Sequence, residues 1–315
     1  MKNVWSRELL LIAILIGLIG WMSFLSPHFL SVHNLLDLTR HLAEIGIIAC
    51  AMTLIIMTGG IDLSVGSLLG LCVVVFGYSQ ATWDLGAPLA VLLTVVVGST
   101  AGAANGTLVA RWNFPPLVVT LATMALFRGL ALGISQAEPV SIAESFWWMG
   151  QAYLGPVPVQ LILWMLVTVA TAILCYRTRL GRYAMAIGDN QRAAEIAALP
   201  VGRVKLLLYT GSGLLCALAA MIYAARFATA KADAGQWYEL AAITGVVLGG
   251  TSITGGRGSV WGTFLGILIL GVVRNGLNLA EVSAVWQQLT EGGILIVTAT
   301  SNELLASYHA RLKKG

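Results

Sequence analysis

Residues 42–80 read LAEIGIIACAMTLIIMTGGIDLSVGSLLGLCVVVFGYSQ, two apolar runs separated by a short polar break. Each run approaches the roughly 20 residues that a helix needs to cross a bilayer. The break at 58–67, TGGIDLSVGS, contains paired glycines and one aspartate. Glycine permits a sharp backbone turn, and Asp62 or Ser64 can cap the helix that follows. The stretch therefore predicts two membrane helices joined by a glycine-rich break.

This break has two interpretations. The simpler one is a helix end followed by the cap of the next helix. The other is a discontinuous membrane helix that lines a polar pathway, since irregular backbone at membrane depth is tolerated only beside protein or water. The residues alone leave both interpretations open.

The composition extends the membrane interpretation to the whole chain. Of the 315 residues, 58% are hydrophobic and 10% are charged, and the mean hydropathy is +0.85. A soluble domain carries about 25% charged residues to cover its surface with water. We therefore exclude most soluble enzymes, and we expect no nucleic-acid partner but extensive contact with membrane lipid.

Further apolar runs predict an all-α, polytopic integral membrane protein with one transmembrane domain covering 1–315 and about ten transmembrane helices. The runs at 241–254 and 259–275 are short or interrupted by Gly-Gly, so they could instead form one re-entrant pair. The predicted helices are 9–25, 42–58, 64–80, 87–110, 117–136, 158–176, 206–224, 241–254, 259–275 and 287–301.

Lys and Arg residues predict the orientation, because basic loops stay in the cytoplasm. Segment 177–205 contains a cluster of them, and the short tail 302–315 adds three more. Both segments and the N-terminus are therefore predicted to be cytoplasmic. The loops predicted on the other side are poorer in Lys and Arg, and they are 27–41, 82–86, 136–157, 226–238 and 278–286.

Within the basic segment, Asp189 is a plausible helix N-cap and Pro200 a stop, which predicts a helix of about ten residues. Ala193, Ile196 and Ala197 would share one face of it. Such a helix is too short to span a bilayer. It is either an interfacial helix and topology anchor, or a peg that enters a groove on a cytoplasmic protein.

A second break, LGGTSITGGRGSV at 248–260, has the same ingredients as the first. Its Ser259 can cap the apolar helix that follows. Arg257 has two possible roles: binding lipid phosphates at the inner surface, or positioning a cytoplasmic partner.

Few charges fall inside the predicted spans, namely Glu44, Arg128, Arg274 and Glu291. Arg128 lies mid-span and is expected to face the protein interior. There it either binds backbone carbonyls or lines a polar pathway. The predicted spans contain no chain of carboxylates of the kind that a proton-coupled carrier would use. The chain also lacks a P-loop and known hydrolase and metal motifs. Its cysteines are scattered singly, so we expect them to be small buried hydrophobic residues and not metal ligands. The cysteines are Cys50, Cys72, Cys175 and Cys216.

The order and spacing of several motifs resemble the permease subunits of bacterial ABC importers for ribose and other monosaccharides, in the family that includes branched-chain amino acid permeases. The resemblance runs along nearly the whole chain. It rests on TGGIDLSVGS at 58–67, NG at 105–106, PPLVVTL at 115–121, RG at 128–129, GRY at 181–183, AIG at 186–188, Asn190, YEL at 238–240, VVLGGTS at 246–252, GGRGSV at 255–260, NGLN at 275–278 and WQQ at 286–288.

The resemblance implies a bacterial inner-membrane permease without a cofactor of its own, with ATP and magnesium held by a partner ATPase. It also implies a periplasmic sugar-binding protein and a second permease subunit, identical or paralogous. Arg192, Ala193 and Ala194 occupy the position of the family's E-A-A coupling motif, with Arg in place of Glu.

The resemblance also implies roles for three sets of residues. The coupling set, within the loop 177–205, is Gly181, Arg182, Asp189, Arg192, Ala193, Ala194 and Ile196. The pathway set is Gly59, Gly60, Asp62, Ser64, Asn105, Arg128, Gly249, Gly250, Thr251, Ser252 and Asn275. The inner-face loop is Gly256, Arg257 and Gly258.

Three other functions compete with a sugar importer. The same family includes importers of a sugar-like autoinducer signal, which the sequence does not separate from sugar importers. An ion-coupled secondary carrier would need coupling residues in the membrane. An intramembrane enzyme would have only Asp62, Glu44 and Glu291 as acids, without a convergent His, Ser or metal set, so we expect no covalent chemistry.

Overall fold

A computed structural model describes the backbone of residues 2–312 and the side chains of residues 7–301. The side chains of the predicted cytoplasmic tail 302–315, including Arg311, Lys313 and Lys314, lie outside the described residues. The elements in chain order are α1 (Lys2–Leu25), α2 (Val32–Met57), α3 (Val65–Ala81), α4 (Ala87–Arg111), α5 (Pro116–Ser135), β1 (Val140–Ser141), a 3-10 turn (Glu144–Phe146), α6 (Trp148–Gln151), β2 (Tyr153–Leu154), β3 (Val157–Pro158), α7 (Val159–Arg177), α8 (Arg179–Asp189), α9 (Gln191–Ile196), α10 (Val201–Phe227), β4 (Thr229–Ala230), α11 (Tyr238–Leu248), α12 (Val260–Leu279) and α13 (Ala284–Leu312).

The prediction of an all-α membrane protein is confirmed. In the described part of the chain, seven helices are long and apolar enough to cross a membrane: α1, α2, α4, α5, α7, α10 and α12. The apolar helices α3 and α11 are shorter, with 17 and 11 residues. The only strands described are short and form two pairs, β1 with β4 and β2 with β3. The count of about ten crossings remains a prediction.

Helix α2 starts much earlier than predicted, and the assignment of 27–41 as a loop is wrong over most of its length. Ser31 caps the helix. In the next turns Asp37 forms ion pairs with His33 and with Arg40, each at 3.1 Å. Pairing three and four residues apart along a helix allows polar side chains to extend it beyond its apolar part.

Helices α2 and α3 form the centre of the molecule. Every residue of α2 from Leu42 through Met57 is buried, and so is every residue of α3 from Val65 through Ser79. Helices α7, α10, α11 and α12 pack around α2, while α4, α5 and α10 pack around α3. Helices that are apolar on all sides are expected at such central positions.

Helices α4 and α10 approach each other closely because glycines meet at their contact. A β-carbon on Gly98 would overlap the carbonyl oxygen of Gly213, and one on Gly102 would overlap the carbonyl oxygen of Tyr209. Small residues let helix backbones come together in membranes, where there is no hydrophobic gain from association. The glycines of α4 therefore determine how tightly α10 packs.

The predicted helix at 241–254 is wrong in form. Helix α11 ends at Leu248, before Gly249-Gly250, and its 11 residues span about 16 Å, half of a bilayer core. The chain before α11 is mostly non-helical and runs along α3, with Ala230 beside Gly77 and Gly235 beside Gly66. The segment predicted as one helix at 241–254 is therefore the greater part of a short helix followed by the start of the second glycine-rich break.

Candidate functional site

Three predicted segments meet at one end of the helix bundle. The Gly256 amide donates a hydrogen bond of 3.0 Å to the Met57 carbonyl, which joins the second break to the end of α2. Gly188 of α8 lies against both groups, so closely that a β-carbon there would overlap them. The structure thus brings the two glycine-rich breaks and the basic segment together.

The glycines of the breaks are needed for their backbone conformation. Gly59, Gly250, Gly255 and Gly256 have φ angles of 79°, 96°, 90° and 77°, a region that other residues adopt at a cost. Gly60 packs near the Tyr209 hydroxyl, Gly249 against Gly262, and Gly258 against the Met57 side chain.

Ser259 caps α12, as predicted, by accepting a hydrogen bond of 2.9 Å from the Gly262 amide. Its hydroxyl donates to Glu8 of α1 at 2.8 Å and accepts from Tyr176 of α7 at 3.3 Å. The start of α1 and the end of α7 therefore lie at the same end of the bundle as the breaks.

The remaining residues of the second break differ in their exposure. The Arg257 side chain is exposed, and its carbonyl accepts a hydrogen bond of 3.0 Å from the Ser252 amide. The hydroxyls of Ser252 and Thr254 lie 2.8 Å apart. Thr251 is buried, and its hydroxyl has no partner within the described part of the chain.

The basic segment forms two helices rather than the single predicted one. Helix α8 ends at Asp189, so the assignment of Asp189 as an N-cap is wrong. The cap of α9 is Asn190, whose side-chain oxygen accepts a hydrogen bond of 2.9 Å from the Ala193 amide. Asn190 lies outside the helical region at φ −159°, as expected for an N-cap.

The two short helices present one face to the bundle and another outward. Gly181 of α8 and Ala194 of α9 are buried. The exposed residues include Arg182, Asp189 and Arg192 together with the predicted face of Ala193, Ile196 and Ala197. Ile196 is 82% exposed, an unusual environment for an isoleucine beside two alanines on a basic surface.

Asp62, Ser64 and Asn105 form a buried polar network between the first break and α4. Asp62 accepts hydrogen bonds from the Ser64 amide at 3.0 Å and from its hydroxyl at 2.6 Å. Asn105 donates to the Ser64 hydroxyl at 2.9 Å. On the other side, Ser212 of α10 donates to Asp62 at 3.5 Å. Ser64 occupies the N-cap position of α3 without capping it through its side chain.

Two polar atoms near this network have no partner among the described residues. They are the side-chain oxygen of Asn105 and the hydroxyl of Tyr209, and both residues are buried. An unpaired buried polar atom costs about 1–3 kcal/mol. The network therefore has hydrogen-bonding capacity that this arrangement of the protein does not use.

Arg128 binds backbone carbonyls, which favours the first of its two predicted roles. Its guanidinium donates to the Ala232 carbonyl and, at 3.1 Å, to the Ala234 carbonyl. Both carbonyls belong to the non-helical stretch that runs along α3. Because the stretch lacks helical hydrogen bonds, its carbonyls need other donors. A guanidinium suits this position because it carries five N–H donors.

Asn275 lies apart from the network and the breaks. Its side chain and that of Asn34 exchange two hydrogen bonds of 2.9 Å, which join α12 to the first turn of α2. Asn34 lies at the opposite end of α2 from Met57. The predicted pathway residues thus occupy several levels of the bundle.

Sequence reasoning missed a buried ion pair between α2 and α10. Arg226 donates to Glu44 at 2.8 Å, and the two side chains are 8% and 0% exposed. Arg226 also lies over the Phe227 ring, at 4.3 Å from its centre, and bonds to His41. The available signal is Glu44 itself, because an intramembrane acid requires a partner, but the sequence predicts a loop at Arg226.

All four cysteines are buried and unpaired, as predicted. Within the described residues, no group of three or more His, Cys, Asp or Glu side chains could hold a metal ion.

Comparison with known proteins shows relatives along nearly the whole chain. The ribose import permease protein RbsC of Bacillus subtilis (strain 168) is 41% identical over 280 residues, which cover 88% of this chain and 86% of that protein. RbsC of Escherichia coli K12 is 37% identical over 300 residues, covering 94% and 93%.

A third relative is named for a different substrate. The autoinducer 2 import system permease protein LsrD of Klebsiella pneumoniae is 36% identical over 312 residues, covering 96% of this chain and 93% of that protein. No solved structure matches the chain.

The model of one protein family, described as the permease component of branched-chain amino acid transport systems, matches residues 34–299. Its match and the relatives agree with the apolar helices and the glycine breaks. The chain belongs to this family of permease components and is a multi-pass membrane transport subunit, not a catalytic enzyme.

Proposed function

We propose that the chain is the transmembrane permease subunit of an ATP-driven importer for a small sugar, a ribose-like pentose or another monosaccharide. The observation that carries this proposal is the 41% identity to a ribose import permease over 88% of the chain. The geometry supports it, because the basic segment contacts both glycine-rich breaks.

The topology that fits this function has about ten crossings in a bacterial inner membrane, with both termini in the cytoplasm. The single permease domain covers 1–315. The non-helical stretch plus α11 provides the crossing that the sequence predicts at 241–254. The basic loop 177–205 and the start of α1 share one end of the bundle, which supports placing both in the cytoplasm.

The coupling segment is α8 with α9, and it docks in a groove of a separate ATPase that holds ATP and magnesium. This chain holds no cofactor. Exposed Ala193 and Ile196 provide an apolar contact with Arg182 and Arg192 around it. Force applied to α9 reaches α8, and Gly188 of α8 is packed against Met57 and Gly256. ATPase movement is thereby transmitted to the breaks.

The inner part of the pathway lies beside the breaks and the Asp62 network, where the unused hydrogen-bonding capacity of Asn105 and Tyr209 supports a second arrangement during transport. The pathway residues proposed there are Gly59, Gly60, Asp62, Ser64, Asn105, Gly249, Gly250, Thr251 and Ser252, with Gly256, Arg257 and Gly258 at the inner face. Arg128 and Asn275 position the helices around it.

Two further partners complete the importer. A second permease subunit, identical or paralogous, lies beside this one in the membrane. A periplasmic sugar-binding protein docks at the end opposite the coupling segment. There, Trp148, Tyr153 and Leu154 are 54%, 43% and 70% exposed, and exposed aromatic residues are enriched in docking surfaces.

A second candidate substrate is a sugar-like autoinducer signal. Its support is the 36% identity to the autoinducer 2 permease over 96% of this chain. Both candidates are small and polar, so the mechanism proposed for this chain is the same for both.

Reconstitution tests the proposal. The chain is placed in proteoliposomes with the ATPase and binding protein encoded beside it, and uptake of radiolabelled ribose, other monosaccharides and autoinducer 2 is measured. We expect uptake that requires the binding protein. Uptake should also require ATP on the side of the membrane where the ATPase lies. Concentrative uptake by this chain alone under an ion gradient would identify a secondary carrier instead.

A further inference from the structure

A polar groove opens between α11, α12 and α13, away from the two glycine-rich breaks. It is open to solvent and encloses little space of its own. Its lining includes side chains that can form hydrogen bonds: Gln236, Trp237, Arg274, Gln287, Gln288 and Glu291.

The charges in this groove indicate that it faces a polar medium. Arg274 and Glu291 are 3.8 Å apart, and their side chains are 56% and 24% exposed. Both lie within their helices rather than in the loop between them. Asn275, the residue after Arg274, bonds to Asn34 in the first turn of α2, so the pair lies near the end of the bundle opposite Met57, where a charged pair is compatible with contact to water.

The other groups in the groove have the chemistry of a site for hydroxyl-rich molecules. The side-chain amides of Gln236 and Gln288 make no hydrogen bond to any described residue, and each offers donors and an acceptor. The Trp237 indole is 54% exposed. An indole face packs on the C–H face of a sugar ring, while amides and charged groups bind its hydroxyls.

An apolar recess continues from the groove toward α2. It is smaller than the groove, and Ala241, Arg274 and Glu291 line both spaces. Leu42 and Ile45 of α2 line the recess but not the groove. The Arg274–Glu291 pair therefore lies where the polar groove meets the apolar recess.

We propose that this groove is a binding site for the transported polyhydroxylated ligand, with Trp237 as its stacking surface and Gln288, Arg274 and Glu291 as its hydrogen-bonding groups. The proposal rests on the proposed function and adds the residues that contact the ligand. The competing occupant is a second copy of this chain, which would cover the groove.

Cysteine labelling tests access to the groove. Since the four native cysteines are buried, Gln288→Cys can be studied with a membrane-impermeant maleimide in the full transporter. We expect the introduced thiol to be labelled, and labelling to slow when ligand-loaded binding protein is present. Unloaded binding protein serves as the control, so that slower labelling reports the ligand rather than cover by the binding protein.

Uptake tests the role of the side chains. We expect Gln288→Ala and Trp237→Ala to reduce sugar uptake about tenfold each, as when one good contact is lost, while both variants still co-purify with the ATPase. Trp237→Phe, which retains an aromatic ring, should recover part of the uptake.

Three results would overturn the proposal. No labelling of the Gln288→Cys variant in the assembled transporter would mean that another subunit covers the groove. Labelling without ligand protection, or unchanged uptake by both alanine variants, would mean that the ligand does not bind there. If the wild-type transporter imports neither the sugars nor autoinducer 2, the proposed function itself is wrong. If the wild type imports ligand and the variants do so equally well, only the proposed binding site is wrong.

Discussion

Gly188 and Met57 are in direct backbone contact: a β-carbon on Gly188 would overlap the Met57 carbonyl oxygen. That carbonyl also accepts the hydrogen bond from the Gly256 amide. One small residue of α8 thus lies against the end of α2 and against the second break. This contact joins α8 to the end of α2, alongside the packing of α8 against α7 and α10.

Gly188→Val should separate α8 from Met57 and disrupt coupling. Overpacking a tight contact costs about 1–3 kcal/mol, so we expect a lower melting temperature and ATPase activity that no longer responds to loaded binding protein. The control is Gly129→Ala, because nothing lies within 4 Å of a β-carbon at Gly129. Normal stimulation in Gly188→Val would contradict the link.

Ile196→Glu and Ala193→Asp should release the ATPase without unfolding the membrane part, because both side chains are exposed and would bring a charge into an apolar contact. Co-purification with the ATPase and ligand-stimulated hydrolysis measure this. Leu154→Glu, at the other end of the bundle, should retain the ATPase. Unchanged co-purification of both α9 variants would refute the docking assignment.

Asp62→Leu should destabilise the protein by about 1–3 kcal/mol, since the buried Ser64 groups would lose their acceptor. Asp62→Asn retains a side-chain oxygen for the Ser64 amide and should be milder. Thermal unfolding in detergent gives the order of the two variants, and equal loss of stability for both would argue against the hydrogen bonds as the cause.

Glu44→Ala and Arg226→Ala should each cost about 3–5 kcal/mol, because each leaves its buried partner unpaired. The double variant should lose less than the sum of the two. A double-mutant cycle on melting temperature measures this coupling. Strict additivity would show that the ion pair contributes little beyond its separate side chains.

The apolar helices could be predicted well from the sequence, and their ends mostly lie within a few residues of the observed ones. The sequence also indicated the breaks, since paired glycines before a capping serine are local signals. It could not predict that α2 continues through 32–41, because the ion pairs of Asp37 become visible only in a helix. Nor could it predict the split between α8 and α9, where Asp189 and Asn190 are adjacent and both are good caps.

The site was harder to predict because it depends on contacts between distant segments. Arg128 bonds to carbonyls about a hundred residues away in the chain, and no pattern in either segment indicates this pairing. The same holds for Glu44 with Arg226 and for the groove, whose glutamines and tryptophan come from two separate helix starts.

The non-helical stretch before α11 has a consequence for how α5 is held in the bundle. Residues 231–237 run through successive turns, and the carbonyls of Ala234 and Gly235 lie against glycines of α3. A continuous helix would keep its carbonyls bonded within itself and would leave none for Arg128 of α5. The turns therefore supply the acceptors that tie α5 to this part of the chain.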